Sequence, residues 1–167
     1  MRHLIDFGDL TRAEWESLYQ RCSDIMDHPA DFMDACRGRV MASLFYEPST
    51  RTNFSFQTAM LRVGGTVFGF ADPKSTSTAK GETLKDTIKM VSGYADVVVM
   101  RNPKEGAAKA ASLYSDVPVI NAGDGGHMHP TQTTADLTTI TRLRGKVDGL
   151  SVGLCGDLKN GRTVHSL

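Results

Sequence analysis

The chain has 167 residues, of which 40% are hydrophobic and 23% are charged, and its 19 lysines and arginines balance its 19 aspartates and glutamates. At this length roughly 70% of the surface of the unfolded chain can be buried on folding, so neither disulfides nor a structural metal are needed to supplement the core. The zero net charge and the absence of a run of cations exclude general nucleic-acid binding, so any anion recognised must be small and locally bound.

The N-terminal residues 1–6 contain charged side chains and lack the apolar core of an export signal. No stretch approaches the roughly 18 apolar residues of a membrane span. Cys22, Cys36 and Cys155 are odd in number and too far apart for a metal or redox motif, which favours reduced, mostly inert and partly buried thiols. The sequence therefore predicts a cytoplasmic protein without a membrane segment.

Residues 11–26 predict an amphipathic helix, because apolar side chains recur at three- and four-residue steps and Thr11 and Glu14 can form a capping box. Beyond this helix, short apolar runs alternate with helical patterns. Predicted strands cover 39–46, 66–70, 96–100 and 117–121, and predicted helices cover 53–62, 82–94, 105–114 and 131–142. The alternation predicts an α/β fold of three layers, in which helices flank a central parallel sheet and ligands gather at the carboxyl ends of its strands.

The pattern changes near residue 145. We expect one domain over 1–144, a linker over 145–150, and the start of a second, similar domain over 151–167. That start would be one βα unit, with an apolar strand at 150–155 and a helix beginning near Arg162. Such a unit cannot bury its own apolar faces, so we expect the natural chain to continue.

Ser49, Thr50, Arg51 and Thr52 lie between the first predicted strand and the helix that follows. A helix N-terminus offers free N–H groups, the hydroxyls add donors, and the guanidinium can form a bidentate fork to phosphate. The same residues also suit an ordinary N-cap beside a solvated arginine. The position at the end of a strand favours a small anion cradle, and the absence of G-x-x-x-x-G-K-[ST] excludes an NTPase loop.

Two further cations have both an ordinary and a functional interpretation. Lys80 lies in the polar segment 75–82, which fits either a mobile surface loop or a binding loop. Arg101 directly follows an apolar predicted strand, so its guanidinium either reaches solvent at the sheet edge or joins Arg51 at the carboxyl ends of the strands.

The segment 123–132 is rich in glycine and leads into a predicted helix. Pro130 suits the first turn of that helix, which places His129 and Gln132 at its start, where both can donate to a carbonyl oxygen. A metal site of His127, His129 and Asp124 is the alternative, but no further ligand lies at a recognisable spacing. The glycines do not match G-x-G-x-x-G, which argues against a nicotinamide cofactor.

The motifs of covalent and metallohydrolase mechanisms are missing, since the sequence has no G-x-S-x-G, no H-E-x-x-H and no plausible catalytic cysteine. What remains is a cluster of cations and neutral donors without a nucleophile. Such a set suits group transfer between two bound substrates, in which positioning and electrostatic stabilisation supply the rate.

Five segments together resemble the aspartate carbamoyltransferases. They include Ser-Thr-Arg-Thr within 43–52, Lys-Gly-Glu within 80–84 and His-Pro-Thr-Gln at 129–132, and the others are 55–60 and 156–167. The resemblance covers the carbamoyl-phosphate domain of that family and only the opening of its aspartate domain. It implies that carbamoyl phosphate and L-aspartate give N-carbamoyl-L-aspartate and phosphate, early in pyrimidine synthesis.

The resemblance also implies roles for individual residues. Ser49, Thr50, Arg51 and Thr52 would hold the phosphate, with Arg51 stabilising the departing charge. The carbamoyl carbonyl would be polarised by Thr52, Arg101 and His129, and the carbamoyl amide would be bound by Gln132. Arg162 would bind an aspartate carboxylate. No cofactor or metal is implied.

The implied assembly is a homotrimer with shared active sites. Ser77 and Lys80 would reach into the site of a neighbouring subunit, with Lys80 also touching aspartate, and Thr76 is the alternative to Ser77. Asn53 departs from the arginine or small residue of many relatives. The resemblance leaves room for a regulatory subunit or fused pathway enzymes.

Two other functions remain open from the sequence. One is a non-catalytic module that binds carbamoyl phosphate or serves only in assembly, since most aspartate-binding groups of the family lie beyond Leu167. The other is ornithine carbamoyltransferase, which shares the cradle and the His-Pro-x-Gln element. Lys80-Gly81-Glu82 and Gly156-Asp157-Leu158 favour aspartate over ornithine.

Overall fold

A computed structural model describes all residues, 1–167, and contains a four-stranded parallel sheet flanked by helices. The strands are β1 (Val40–Phe45), β2 (Thr66–Phe70), β3 (Val97–Asn102) and β4 (Val119–Asp124), in the spatial order β2-β1-β3-β4. The helices are α1 (Arg12–Asp27), α2 (Thr50–Arg62), α3 (Leu84–Ser92), α4 (Ala107–Tyr114), α5 (Pro130–Arg144) and α6 (Arg162–Ser166). The predicted α/β class with a central parallel sheet is confirmed.

Both faces of the sheet are covered along its central strands β1 and β3, whose alternate residues point to opposite sides, whereas the edge strand β2 stays partly exposed. One face packs against α3 and α4 through a core that includes Leu44, Met100 and Ile88. The other face packs against α2 through Phe45, Val99 and Met60. The two central strands therefore need apolar side chains at nearly every position, which is why they read as continuous apolar runs.

The register of the sheet brings the carboxyl ends of its central strands to one edge. Phe45 of β1 lies opposite Arg101 of β3, and Asn102 lies opposite Asp124 of β4. Helix α2 begins five residues after β1, and α5 begins six residues after β4. The amino ends of both helices consequently face the same edge as Arg101.

Several local predictions are confirmed with small shifts. Thr11 and Glu14 form the capping box that begins α1, and Pro130 occupies the first turn of α5. Strands β3 and β4 end two and three residues later than predicted. Arg101 is therefore the penultimate residue of β3 instead of following the strand.

The strand predicted at 150–155 does not form. These residues are irregular and exposed, with Val152 at 58% and Leu154 at 45% of full exposure. A parallel strand needs a neighbour to satisfy its backbone hydrogen bonds, and no other strand lies beside this segment. The helix predicted near Arg162 is present as α6, and the division into 1–144, 145–150 and 151–167 stays a prediction.

The cysteines are all free, with Cys22 and Cys36 partly buried and Cys155 exposed. Burial raises the pKa of the Cys22 thiol, which makes that side chain less reactive. Every helix of the structure is either too short or too polar to cross a membrane.

Gly69 determines how closely β2 approaches β1. Its φ is +150°, and a Cβ at this position would lie 1.9 Å from the carbonyl oxygen of Ser43 on the neighbouring strand. Only glycine allows the two backbones to lie this close.

We predict that Gly69→Ala lowers the free energy of unfolding by about 3 kcal/mol, because the methyl group must displace backbone atoms of β1. Urea denaturation measures this directly. Gly153→Ala is the matched control, since nothing lies within 4 Å of a Cβ at that position. Equal free energies of unfolding for the two variants would contradict the packing described for β1 and β2.

Candidate functional site

A cavity of about 440 Å³ opens at the carboxyl edge of the sheet, and no apolar side chain lines it. The surrounding residues come from the start of α2, the end of β3 and the start of α5. They are Ser49, Arg51, Thr52, Ser55, Arg101, His129 and Gln132. A polar cavity with two arginines is suited to a small anion rather than to an apolar ligand.

The amino end of α2 presents free donors to this cavity. The first backbone hydrogen bond of the helix runs from the Asn53 N–H to the Ser49 carbonyl at 3.0 Å, so the N–H groups of residues 50–52 have no partner within the helix. The side chain of Ser49, the N-cap residue, makes no capping hydrogen bond. The free N–H groups form the positive end of the helix dipole, and the exposed Arg51 adds a positive charge beside them.

Arg101 is held beside the cavity by an ion pair. Its Nε donates to Glu47 Oε1 at 2.6 Å, and its Nη1 lies 3.4 Å from Thr52 Oγ1. The Arg101 and Glu47 side chains are only 16% and 19% exposed, so solvent screens the pair weakly. The contact fixes one edge of the guanidinium and aims the group at the start of α2.

Arg162 approaches the same carboxylate from α6. Its Nη1 lies 2.7 Å from Glu47 Oε1 but is not aligned for a hydrogen bond, and its Nε donates to the Gly125 carbonyl. Gly123 makes room for this approach, because a Cβ there would lie 3.0 Å from Arg162 Nη1 and 3.6 Å from Arg101 Nη1. The site therefore brings two guanidinium groups to one carboxylate oxygen.

The protonation of these groups follows from burial and mutual charge. Burial raises the pKa of Glu47, but the contacts with Arg162 and Arg101 outweigh it and hold the pKa below its usual value. Burial lowers the pKa of Arg101, and the charge of Arg162 lowers it further against the opposing effect of Glu47. Glu47 is thus ionised at neutral pH.

His129 is the N-cap residue of α5 and is half-buried. Burial lowers its pKa to about 4, with the charges of Arg101 and Arg162 acting in the same direction. Its imidazole is neutral at pH 7 and carries one N–H, which can donate to a carbonyl oxygen without adding a charge. The His129 Nδ1 lies 3.5 Å from Thr131 Oγ1. On the same helix, Gln132 Nε2 donates a hydrogen bond to Asp136 Oδ1 at 3.0 Å.

Asp124 supports the loop before His129 from inside the fold. It is 2% exposed and accepts hydrogen bonds from Asn121 Nδ2 at 3.0 Å and from the Gly106 N–H at 2.9 Å. His127 Nδ1 lies 3.9 Å from its carboxylate. No group of three or more His, Cys, Asp or Glu side chains is arranged to hold a metal ion.

The structure brings together most of the residues singled out in the sequence. Ser49, Arg51, Thr52, Arg101, His129 and Gln132 line one cavity. The exposed side chain of Thr50 does not line this cavity. Ser77 and Lys80 are exposed on a short 3₁₀ segment outside the cavity. Arg162 contacts Glu47 at the edge of the site.

Two residues of the site were missed by sequence reasoning. Ser55 lines the cavity from the second turn of α2, three residues beyond Thr52. Glu47 pairs with both arginines, and its only local signal is an acidic residue directly after a buried strand. That signal places Glu47 at the edge of the sheet, but not beside Arg162, which is far away in the sequence.

Comparisons with known proteins match nearly the whole chain. A family model described as aspartate/ornithine carbamoyltransferase, carbamoyl-P binding domain, matches residues 2–142. The aspartate carbamoyltransferase catalytic subunit of Clostridium perfringens is 57% identical over 166 residues, which are 99% of this chain and 54% of that protein. The corresponding subunit of Clostridium acetobutylicum is 58% identical over the same shares.

Solved structures give the same result. Aspartate transcarbamoylase from Trypanosoma cruzi, in complex with carbamoyl phosphate and aspartate, has a TM-score of 0.92 and 40% identity, covering 99% of this chain and 55% of that one. The catalytic subunit of M. jannaschii aspartate transcarbamoylase has a TM-score of 0.90 and 50% identity, with the same coverage. The chain spans about half the length of the curated relatives it matches.

We predict that the His129 imidazole titrates near pH 4 in NMR spectra of the folded protein. The unfolded chain binds this proton near pH 6.5, so the contribution of His129 to the free energy of unfolding decreases as the pH falls from about 6.5 towards 4. Arg101→Met should raise the midpoint, because one repelling charge is removed, but leave it below 6.5, because burial remains. A wild-type midpoint near 6.5 would refute the described environment.

Proposed function

The chain belongs to the aspartate/ornithine carbamoyltransferase family, and we propose that it forms the carbamoyl-phosphate-binding half of an aspartate carbamoyltransferase. The observation that carries the proposal is the single polar cavity that joins the amino end of α2 to Arg101 and His129. The aspartate type is favoured because relatives more than half identical to the chain are aspartate carbamoyltransferases.

In the proposed complex, the phosphate group lies at the amino end of α2. Arg51 forms a bidentate contact, and Ser49 and Thr52 donate hydroxyl hydrogen bonds. Thr50 contributes its backbone N–H, since its side chain does not line the cavity. A dianion is stabilised here both by the guanidinium and by the helix dipole.

The carbamoyl group would then lie towards β3 and α5. Arg101, His129 and Thr52 donate to its carbonyl oxygen, where negative charge develops in the transition state, and Gln132 contacts its amide. The amino group of aspartate attacks the carbonyl carbon, the C–O bond to phosphate breaks, and the departing phosphate takes the proton that the nitrogen loses. Arg51 stabilises the charge on the departing phosphate. Because the second substrate attacks directly, catalysis needs no covalent intermediate with the enzyme.

The second substrate and the assembly belong to the same proposal. Arg162 would bind an aspartate carboxylate, and Ser77 and Lys80 would enter the cavity of a neighbouring copy in a homotrimer. Both Ser77 and Lys80 are exposed and lie outside their own chain's cavity, which supports a role in another subunit. We place this assembly in the cytoplasm.

A non-catalytic binding module is the second candidate. It is favoured by one observation, that the chain spans about half the length of its curated relatives. In that case the cavity would bind carbamoyl phosphate without turnover. Ornithine carbamoyltransferase is a third candidate, because the matching family model covers both enzyme types.

We predict that Arg51→Ala weakens the binding of carbamoyl phosphate at least about 100-fold, because the proposed bidentate contact has two hydrogen bonds from a charged group and each contributes about 1.5–3 kcal/mol. Isothermal titration calorimetry on the 167-residue chain measures this. Arg62→Ala is the matched control, since Arg62 lies at the opposite end of the same helix. Unchanged affinity of Arg51→Ala would contradict the cradle assignment.

Product formation separates the candidates. The 167-residue chain and a form extended to the full length of its relatives are each assayed with carbamoyl phosphate and either L-aspartate or L-ornithine. Turnover of aspartate by the full-length form supports the enzyme proposal, and binding without turnover by both forms supports the binding module. Turnover with ornithine alone would overturn the aspartate assignment.

A further inference from the structure

Asn53 lies beneath the anion cradle and is almost completely buried, at 6% exposure. Its Oδ1 accepts two hydrogen bonds, from Ser43 Oγ at 2.8 Å and from Gln57 Nε2 at 2.7 Å. Both lone pairs of the amide oxygen are thereby used. Asn53 directly follows Thr52, so its contacts are made at the turn that carries the cradle.

The Ser43 hydrogen bond ties this turn to the most constrained part of the sheet. Ser43 is 1% exposed and belongs to β1, where it is paired with Gly69 of β2 and Val99 of β3. The Asn53 N–H also makes the first backbone hydrogen bond of α2. A shift of Asn53 relative to β1 would therefore move the free N–H groups of residues 50–52 together with Thr52.

The charge of the acceptor matters as much as its position. Ser43 and Gln57, which contact the Asn53 oxygen, are both neutral, so neither would offset the charge of a carboxylate at position 53. Such a carboxylate could accept the same hydrogen bonds, but it would place a buried negative charge one residue from a phosphate-binding turn. Weak screening inside the fold makes this repulsion larger than at the surface.

We propose that Asn53 is a positioning residue of the anion cradle, which locks the first turn of α2 onto β1 through a neutral acceptor. This inference rests on the proposed function, because it assigns Asn53 to the binding of carbamoyl phosphate. The residue holds the donors in place without touching the ligand, and its neutrality leaves the positive charge of the cradle unopposed.

Two substitutions separate position from charge. Asn53→Asp keeps the acceptor geometry and adds a negative charge, whereas Asn53→Ala removes the acceptor. Thr58→Asp and Thr58→Ala are the matched controls, since Thr58 is an exposed residue of the same helix. Calorimetry gives the affinity of each chain for carbamoyl phosphate, and amide NMR spectra report the response of residues 50–52 to inorganic phosphate.

We expect both Asn53 variants to lose about tenfold in affinity, and both Thr58 variants to stay within about twofold of the wild type. In Asn53→Asp the unliganded amide shifts of residues 50–52 should stay close to those of the wild type, because the turn keeps its position. In Asn53→Ala these shifts should change, because the turn is released from β1. If Asn53→Ala does not fold, the affinity of Asn53→Asp for carbamoyl phosphate alone tests the inference.

If the wild type binds carbamoyl phosphate and Asn53→Asp binds it with the same affinity, the inference is overturned and the proposed function stays intact. No binding of carbamoyl phosphate by the wild type would overturn the proposed function, and the inference with it. Equal losses of affinity for carbamoyl phosphate in Asn53→Asp and Thr58→Asp would also count against the inference, because a negative charge added anywhere on α2 would then be enough to weaken binding.

Discussion

One oxygen of Glu47 holds two guanidinium groups, and the geometry of the site depends on this contact. Arg101 and Arg162 both lie within 2.7 Å of Glu47 Oε1, although Arg101 belongs to the middle of the chain and Arg162 to its last helix. Without the carboxylate, two weakly solvated cations would repel each other at the edge of the sheet. Breaking a fully buried ion pair costs about 3–5 kcal/mol, because a charge is left uncompensated, and the loss is smaller for these part-buried side chains.

A chain with zero net charge can still offer a local site for the proposed anion. Arg101 and Arg162 share the carboxylate of Glu47, and Arg51 lines the cavity without a salt bridge, so three guanidinium groups and one carboxylate leave the site with two positive charges. These charges lie beside the free N–H groups of α2 and the neutral imidazole of His129. The local excess of positive charge matches a dianion, and since the whole chain has no net charge, the remaining side chains carry a compensating excess of two negative charges.

Much of the fold and part of the site could be predicted from the sequence, because they depend on local patterns. Buried strands are continuous apolar runs, and Pro130 marks the start of α5 and thereby the place of His129. Glu47 could not be assigned, because its pairing with Arg162 depends on the path of the chain through the whole sheet. The role of Asn53 depends in the same way on Ser43, which lies on a different element.

The wrong prediction at 150–155 has a related cause. An apolar run becomes a strand only where another strand accepts its hydrogen bonds, and here the segment lies exposed without one. The role proposed for Ser77 and Lys80 in another subunit raises the same issue at the level of assembly, because such a role would leave no local pattern beyond a polar loop. Local sequence patterns therefore predict individual helices and strands well, but they predict poorly which distant segments or subunits come into contact.

A crystal structure of the chain with carbamoyl phosphate tests the central claim most directly. The account predicts a phosphate group at the amino end of α2, within hydrogen-bond distance of Arg51 and the N–H groups of residues 50–52. The carbonyl oxygen should lie beside Arg101 and His129. Ligand bound elsewhere, for example in the cavity between α1 and the end of α5 near Trp15, with the cradle empty, would contradict it.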